Sequence, residues 1–130
     1  MLSFPIQAPI YLYAGVCDMR KSFNGLLGLI HQAEMDDPLS GAWFVFRNRH
    51  GDKLKIIYFE GDGLAIWYKR LEQGRFQWPP ITAGQASASI SASQLRLILE
   101  GIDLTSVRRR KRYSPPSATT RGSTTARSRG

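Results

Sequence analysis

The run 42-AWFVFRNRHGDKLKIIYFEGDGLAIWYKRL-71, continued by 75-RFQWP-79, has the strongest strand signal in the chain. Apolar and polar residues change with a period near two, and the segments are separated by RHGD, GDG and EQG. Each connection offers glycine or aspartate where a turn needs positive φ. Strands joined by such short connections run antiparallel. We therefore predict a four-stranded meander formed by residues 42–47, 53–60, 64–71 and 75–79.

Before the meander, 10-IYLYA-14 predicts a short strand and 18-DMRKSFNGLLGLIHQAEM-35 an amphipathic helix. The apolar stripe of this helix recurs at three- and four-residue steps and consists of Phe23, Leu26, Leu27, Ile30 and Ala33. The carboxylate of Asp18 is placed to cap the first turn. The helix should end before Asp36-Asp37-Pro38, because a residue that precedes proline disfavours the α conformation.

After the meander, residues 80–90 form a stretch of small residues that we interpret as a linker. A second helix is predicted over 91–101, with Ser91 as its N-cap and Gln94 completing a capping box. Its predicted apolar face consists of Leu95, Ile98, Leu99 and Ile102. A helix with one apolar stripe needs a sheet to cover it. The sequence therefore predicts an α+β fold in residues 1–104, with an antiparallel sheet of four or five strands and both helices packed on one face.

The net charge of +8 is concentrated in one segment. Residues 1–104 contain ten Lys or Arg and ten Asp or Glu, whereas residues 105–130 contain eight basic residues and no acid. We expect this Ser, Thr and Arg-rich tail to be disordered. Its run 108-RRRKR-112 is suited to contact with phosphate, although a tail that only keeps the protein soluble has the same composition.

Several function classes are disfavoured. No apolar run approaches the roughly 20 residues of a membrane span, and the start lacks the pattern of a secretory signal, so we expect a soluble, cytoplasmic protein. Cys17 is the single cysteine and is expected to be a buried or half-buried small hydrophobe, and the two histidines do not have zinc-ligand spacing. Asp52 and Asp62 fall at opposite ends of one strand, roughly 25 Å apart, too far to share a metal. We expect no enzyme activity, metal or cofactor.

Basic and aromatic residues interleave on the predicted sheet, as they do on surfaces that hold nucleic acid. Alternation along strand 53–60 places Lys53 and Lys55 on the solvent side, while Tyr58 and Trp67 are better interpreted as core. The residues predicted to contact nucleic acid are Arg47, Arg49, Lys53, Lys55, Lys69, Arg70 and Arg75 in the sheet region, and Arg108, Arg109, Arg110, Lys111 and Arg112 in the tail.

Two glycines in the first helix indicate a different kind of contact. Gly25 and Gly28 each disfavour the helix by roughly 0.5–1 kcal/mol relative to alanine, and they fall opposite the apolar stripe. Close approach of a partner protein would explain them. Tolerance of glycine on an exposed face would explain them equally well.

The chain resembles the small accessory protein, of the TnpB or second-open-reading-frame type, of the bacterial insertion sequence family sixty-six. The resemblance covers about residues 10–112 and rests on 18-DMRKSFNGL-26, 44-FVFRNRHGDKLKIIYFEGDG-63, 66-IWYKRLEQGRFQWP-79 and 99-LEGID-103. It implies a protein of a transposable element that is needed for efficient transposition beside a separate transposase, and it implies no catalytic residue here. The chain departs from the family pattern after about Tyr113.

Two hypotheses follow. In the first, the protein is a non-enzymatic accessory factor that contacts DNA, such as transposon ends, in a transposition complex. In the second, it is an interaction module that binds the transposase or another protein of the element, with no direct DNA contact.

Overall fold

A computed structural model describes residues 7–101 of the chain. The elements in chain order are β1 (Ile10–Tyr13), α1 (Phe23–Gln32), β2 (Trp43–Arg47), β3 (Lys53–Glu60), β4 (Gly63–Arg70), β5 (Ser87–Ile90) and α2 (Ala92–Glu100). The fold is α+β, as predicted. No helix within 7–101 is long and apolar enough to cross a membrane. The predicted domain boundary at 104 and the basic tail lie outside the described residues.

The five strands form one mixed sheet in the order β4-β3-β2-β1-β5. The antiparallel pairs β2–β3 and β3–β4 confirm the predicted meander from residue 43 to residue 70. β1 lies parallel to β2, so the sheet is mixed, which corrects the prediction of an antiparallel sheet at this one strand pair. The physical reason is the α1 crossover: a helix between two strands returns the chain to the starting end of the sheet, and the next strand then runs parallel.

Two predictions near the end of the meander were also wrong. Residues 75–79 form no strand; Phe76 is buried, and its amide N–H donates to the Gly51 carbonyl oxygen at 2.8 Å. The predicted linker instead contains β5, which pairs antiparallel with β1. Its sequence, SASI, alternates, but its apolar residues are only one alanine and one isoleucine, so pairing with β1 contributes more to this strand than its small apolar face.

The first helix is shorter than predicted. α1 begins at Phe23, and its N-cap residue Ser22 makes no side-chain capping bond. Asp18 does not cap this helix, because its carboxylate accepts from the backbone N–H and the guanidinium of Arg20. The second helix agrees with prediction: the Ser91 hydroxyl accepts from the Gln94 amide, and the Gln94 side chain accepts from the Ser91 amide. The predicted continuation of this apolar face to Ile102 is outside the described residues.

The two helices cover opposite faces of the sheet, which corrects the prediction that both lie on one face. Alternate residues of β2 divide between two buried clusters, since neighbouring side chains of a strand point to opposite faces. The first cluster, under α2, contains Ile10, Leu12, Trp43, Val45, Leu54, Ile56, Leu71, Phe76, Leu95 and Ile98. The second, under α1, contains Cys17, Leu26, Ile30, Met35, Ala42, Phe44, Phe46 and Ile57. The uninterrupted apolar run AWFVF is typical of a strand buried on both faces.

Candidate nucleic-acid interface

Charged side chains are separated between the two ends of the sheet. One end, here called the basic end, is where β2 finishes, β3 begins and β4 finishes. Its cations are Arg20, Lys21, Arg47, Arg49, Lys53, Lys69, Arg70 and Arg75. The opposite, acidic end carries Glu34, Asp36, Asp37, Glu60 and Asp62. The fold thus gives a polarised surface to a part of the chain, within residues 1–104, whose basic and acidic residues are equal in number.

The basic end is only partly neutralised by its own acids. Asp18 pairs with Arg20 at 2.7 Å and Glu72 pairs with Arg70 at 3.0 Å. The hydrogen bonds from Arg20 hold the pKa of Asp18 at about 2, so this carboxylate stays ionised and offsets the Arg20 charge. Within residues 7–101, the remaining exposed or half-buried cations of this end have no ion-pair partner: Lys21, Arg47, Arg49, Lys53, Lys69 and Arg75.

The turn between β2 and β3 is fixed by Asn48, a residue that sequence reasoning missed. Its side-chain oxygen accepts from the amides of Gly51 and Lys53, both at 3.0 Å, and its side-chain N–H₂ donates to Asp52 at 2.8 Å. The bond to Asn48 lowers the pKa of Asp52. Gly51 takes φ +79°, which favours glycine. Asparagine before a glycine turn is a known turn signal, and here it holds Arg49 and His50 in place.

An open groove of about 590 Å³ lies at the basic end on the α1 face of the sheet. It is lined by Val16, Cys17, Asp18, Met19, Arg20, Asn48, Arg49, His50, Lys53 and Tyr68. Tyr68 is 49% exposed, so one aromatic ring is accessible among several cations. A ring of this kind can stack on a base while neighbouring Lys and Arg contact phosphates.

Lys55 does not face solvent, so that prediction was wrong. The side chain is 7% exposed, and its ammonium donates to the carbonyl oxygens of Met19 at 2.8 Å and Lys21 at 2.7 Å. It also lies 4.7 Å from the centre of the Tyr68 ring. The alternation correctly placed Lys55 on the face opposite Leu54, but the loop before α1 covers that face. Lys55 therefore anchors the groove wall.

Arg47 is half-buried on the α2 face. Its guanidinium lies 4.9 Å from the centre of the Trp78 ring, and burial lowers its pKa. Arg47 Nε and Trp78 Nε1 are buried without a hydrogen-bond partner among the described residues. A cation over an indole ring contributes about 0.5–2 kcal/mol. Arg47 therefore has a stabilising contact within the protein, and the described residues give Arg49 no such contact with an aromatic ring.

The other predicted binding residues divide between the two faces. Lys53 lies opposite Arg70 in the β3–β4 ladder, and Lys69 lies opposite Leu54 on the other face. Arg75 lies beside the β2–β3 turn, because its side chain would be within 3.6 Å of a Cβ at Gly51. The tail residues Arg108, Arg109, Arg110, Lys111 and Arg112 are outside the described residues.

The remaining side chains that could take part in catalysis, stacking or metal binding are in structural positions. Cys17 is buried, as predicted, and burial raises the pKa of its thiol. Tyr58 and Trp67 are half-buried against the α2-side cluster, in agreement with their interpretation as core. Among residues 7–101, no three His, Cys, Asp or Glu side chains are close enough to form a metal-binding group.

The two glycines of α1 have different surroundings. Gly28 is exposed, and a Cβ built on it would meet nothing within 4 Å. A Cβ on Gly25 would lie 3.0 Å from the Lys21 side chain. A side chain at position 25 would require Lys21 to shift, whereas a side chain at position 28 would meet no contact within the described residues.

Comparison with known proteins gives one family. The sequence profile described as "IS66 Orf2 like protein" matches residues 8–109. The chain is 39% identical over 94 residues to the uncharacterized protein y4hO of Sinorhizobium fredii (strain NBRC 101917 / NGR234), covering 72% of this chain and 80% of the relative. It is 38% identical over 93 residues to the uncharacterized protein y4jC of the same strain, covering 72% and 78%. No solved structure matches the chain.

Proposed function

Because the chain belongs to the IS66 Orf2-like family, we propose that it is a cytoplasmic, non-enzymatic accessory protein of a bacterial insertion sequence that promotes transposition by contacting DNA directly. The contact surface is the basic end of the sheet, with Arg49, Lys53, Lys69 and Arg75 on the phosphates. The other components of the complex are the transposase and further proteins of the same element.

The observation that supports this proposal is the placement of the cations on a rigid support. Eight Lys or Arg side chains surround one end of the sheet, while five acids lie at the other. Side chains held by a sheet keep a fixed spacing, so they orient a duplex as well as attract it. Lys55 is removed from the predicted contact set because its ammonium is used inside the protein.

Direct contact is tested by titrating the full-length protein into a labelled DNA duplex and following fluorescence anisotropy at several salt concentrations. We expect binding at low salt, with log affinity falling linearly against log salt by about 0.9 per phosphate contacted. Replacing Arg108 through Arg112 with serine should weaken binding to every duplex about equally and leave folding unchanged. Absence of binding at low salt would instead support an interaction module that reaches DNA only through the transposase.

The exposed face of α1 supports this second candidate function. Gly28→Ala fills open space, so it should raise the free energy of unfolding by about 0.5–1 kcal/mol, the difference in helix propensity between the two residues. Thermal unfolding measures that gain, and transposition frequency in cells measures function. If transposition falls while stability rises, the Gly28 face is a protein contact. If both stay at or above the wild-type level, the face is exposed and not used.

A further inference from the structure

β4 is an edge strand of the sheet and has eight residues, whereas the strand at the other edge, β5, has four. An edge strand exposes unpaired backbone N–H and C=O groups and can pair with another chain. In the part of the chain that the structure describes, β3 is the one strand that pairs with β4. A long, regular edge of this kind is a candidate site for adding a strand.

The β3–β4 hairpin determines which backbone groups of β4 face outward. Glu60 pairs with Gly63 across a two-residue turn, and Gly61 has φ +64°, as expected at the first central position of a type II′ turn. The residues that close such a turn exchange hydrogen bonds with each other, and alternate residues then point outward. The outward amides and carbonyls belong to Leu64, Ile66, Tyr68 and Arg70.

The side chains of the edge are apolar in its first two thirds. Residues 64–67, LAIW, are all half-buried and uncharged, and Tyr68 is 49% exposed. Lys69 and Arg70 are the charged residues of β4, and they are its last two residues, at the basic end of the sheet. The middle of the edge thus lacks the inward charge or proline with which many proteins block strand addition.

We propose that two copies of this chain pair antiparallel through β4 to form a continuous ten-stranded sheet. Charge selects the second copy and its direction. Antiparallel pairing sets the basic end of each copy beside the acidic end of the other, whereas parallel pairing would bring like charges together. The register that joins Ile66 to Ile66 sets Arg70 opposite Asp62 of the second copy. It also places Trp67 opposite Ala65, a large side chain against a small one.

This arrangement is self-complementary, because a two-fold axis perpendicular to the sheet makes each contact twice. It does not depend on DNA binding. In the dimer, the basic ends of the two copies face in opposite directions.

Sedimentation velocity of the full-length protein without DNA tests the proposal. We expect a dimer at about 100 µM. Arg70→Asp or Asp62→Arg alone places like charges opposite each other twice, and each should weaken dimerisation by about tenfold or more. The double variant restores opposite charges and should recover the wild-type affinity. The controls Arg96→Asp and Glu100→Arg change net charge equally at exposed positions of α2, outside both charged ends and β4, and should leave the dimer unchanged.

Hydrogen exchange at two protein concentrations locates the contact. The outward amides of Leu64, Ile66 and Tyr68 should exchange more slowly at the concentration at which the dimer forms. A monomer at about 100 µM, or a double variant no better than the single ones, would overturn the proposal. In either case the β4 edge would be available to pair with a strand of a different protein. Equal losses in the two control variants would show a general charge effect and would also contradict it.

Discussion

Lys55→Met lowers the free energy of unfolding by about 2–3 kcal/mol, because two partly buried carbonyl oxygens lose a charged donor. Methionine nearly matches the length of the lysine stem, so the change removes the ammonium and keeps most of the packing. The Met19 and Lys21 carbonyl oxygens then have no Lys55 donor, and the ring of Tyr68 loses its cation. The loss is measured by urea denaturation followed by tryptophan fluorescence.

Lys53→Met is the matched control. Lys53 is two residues earlier on the same face of β3 but is only partly buried, so its replacement should change stability by no more than about 0.5 kcal/mol. If Lys55→Met is as stable as the wild type, water replaces the ammonium at these carbonyls and Lys55 does not anchor the loop before α1.

Neutralising four cations of the basic end should produce the largest change in DNA binding. In the variant with Arg49, Lys53, Lys69 and Arg75 all changed to glutamine, affinity for duplex DNA at low salt should fall on the order of 10²-fold, and the log–log salt slope should decrease by about 2 to 4. None of the four side chains forms an ion pair within residues 7–101, so the fold should keep its stability. Anisotropy titrations measure affinity, and circular dichroism checks the fold.

Single variants provide the control at equal charge. Arg49→Gln removes a cation from the rigid β2–β3 turn, whereas Arg96→Gln removes one from the exposed side of α2. Arg49→Gln should weaken binding and decrease the slope by about 0.9, and Arg96→Gln should have much less effect. If the two variants lose affinity equally, the affinity for DNA depends on the net charge of the protein and not on the cations of the basic end.

Sequence patterns correctly predicted the elements that are stabilised by contacts between residues close together in the chain. The β3–β4 hairpin follows from alternation around a glycine turn, and the start of α2 follows from Ser91 and Gln94 at capping distance. The parallel β1 and the strand β5 could not be predicted in this way, since both depend on pairing between distant residues. The position of the helices on opposite faces is indicated by AWFVF, a run without alternation that is typical of a strand buried on both faces.

The candidate site was predictable to a similar extent. Turn residues such as Arg49 lie where the sequence placed them, because the turn is determined by its own residues. Lys55 was misplaced because alternation assigns a face but does not show whether a distant loop covers it. The separation of basic and acidic ends was not visible in the sequence, since the residues at each end come from several segments that only the sheet brings together.

Photo-crosslinking at two positions tests most directly whether DNA lies at the basic end. A photoreactive amino acid is placed at His50, in the β2–β3 turn, or at Leu39, which is 58% exposed near the acidic end. Each full-length protein is irradiated with a labelled duplex, and each is repeated with Arg108 through Arg112 changed to serine. We expect crosslinks to DNA from position 50 and few from position 39, with and without the tail cations. Crosslinking that is equal at both positions, or that disappears at position 50 when the tail is neutralised, would show that DNA does not lie at the basic end.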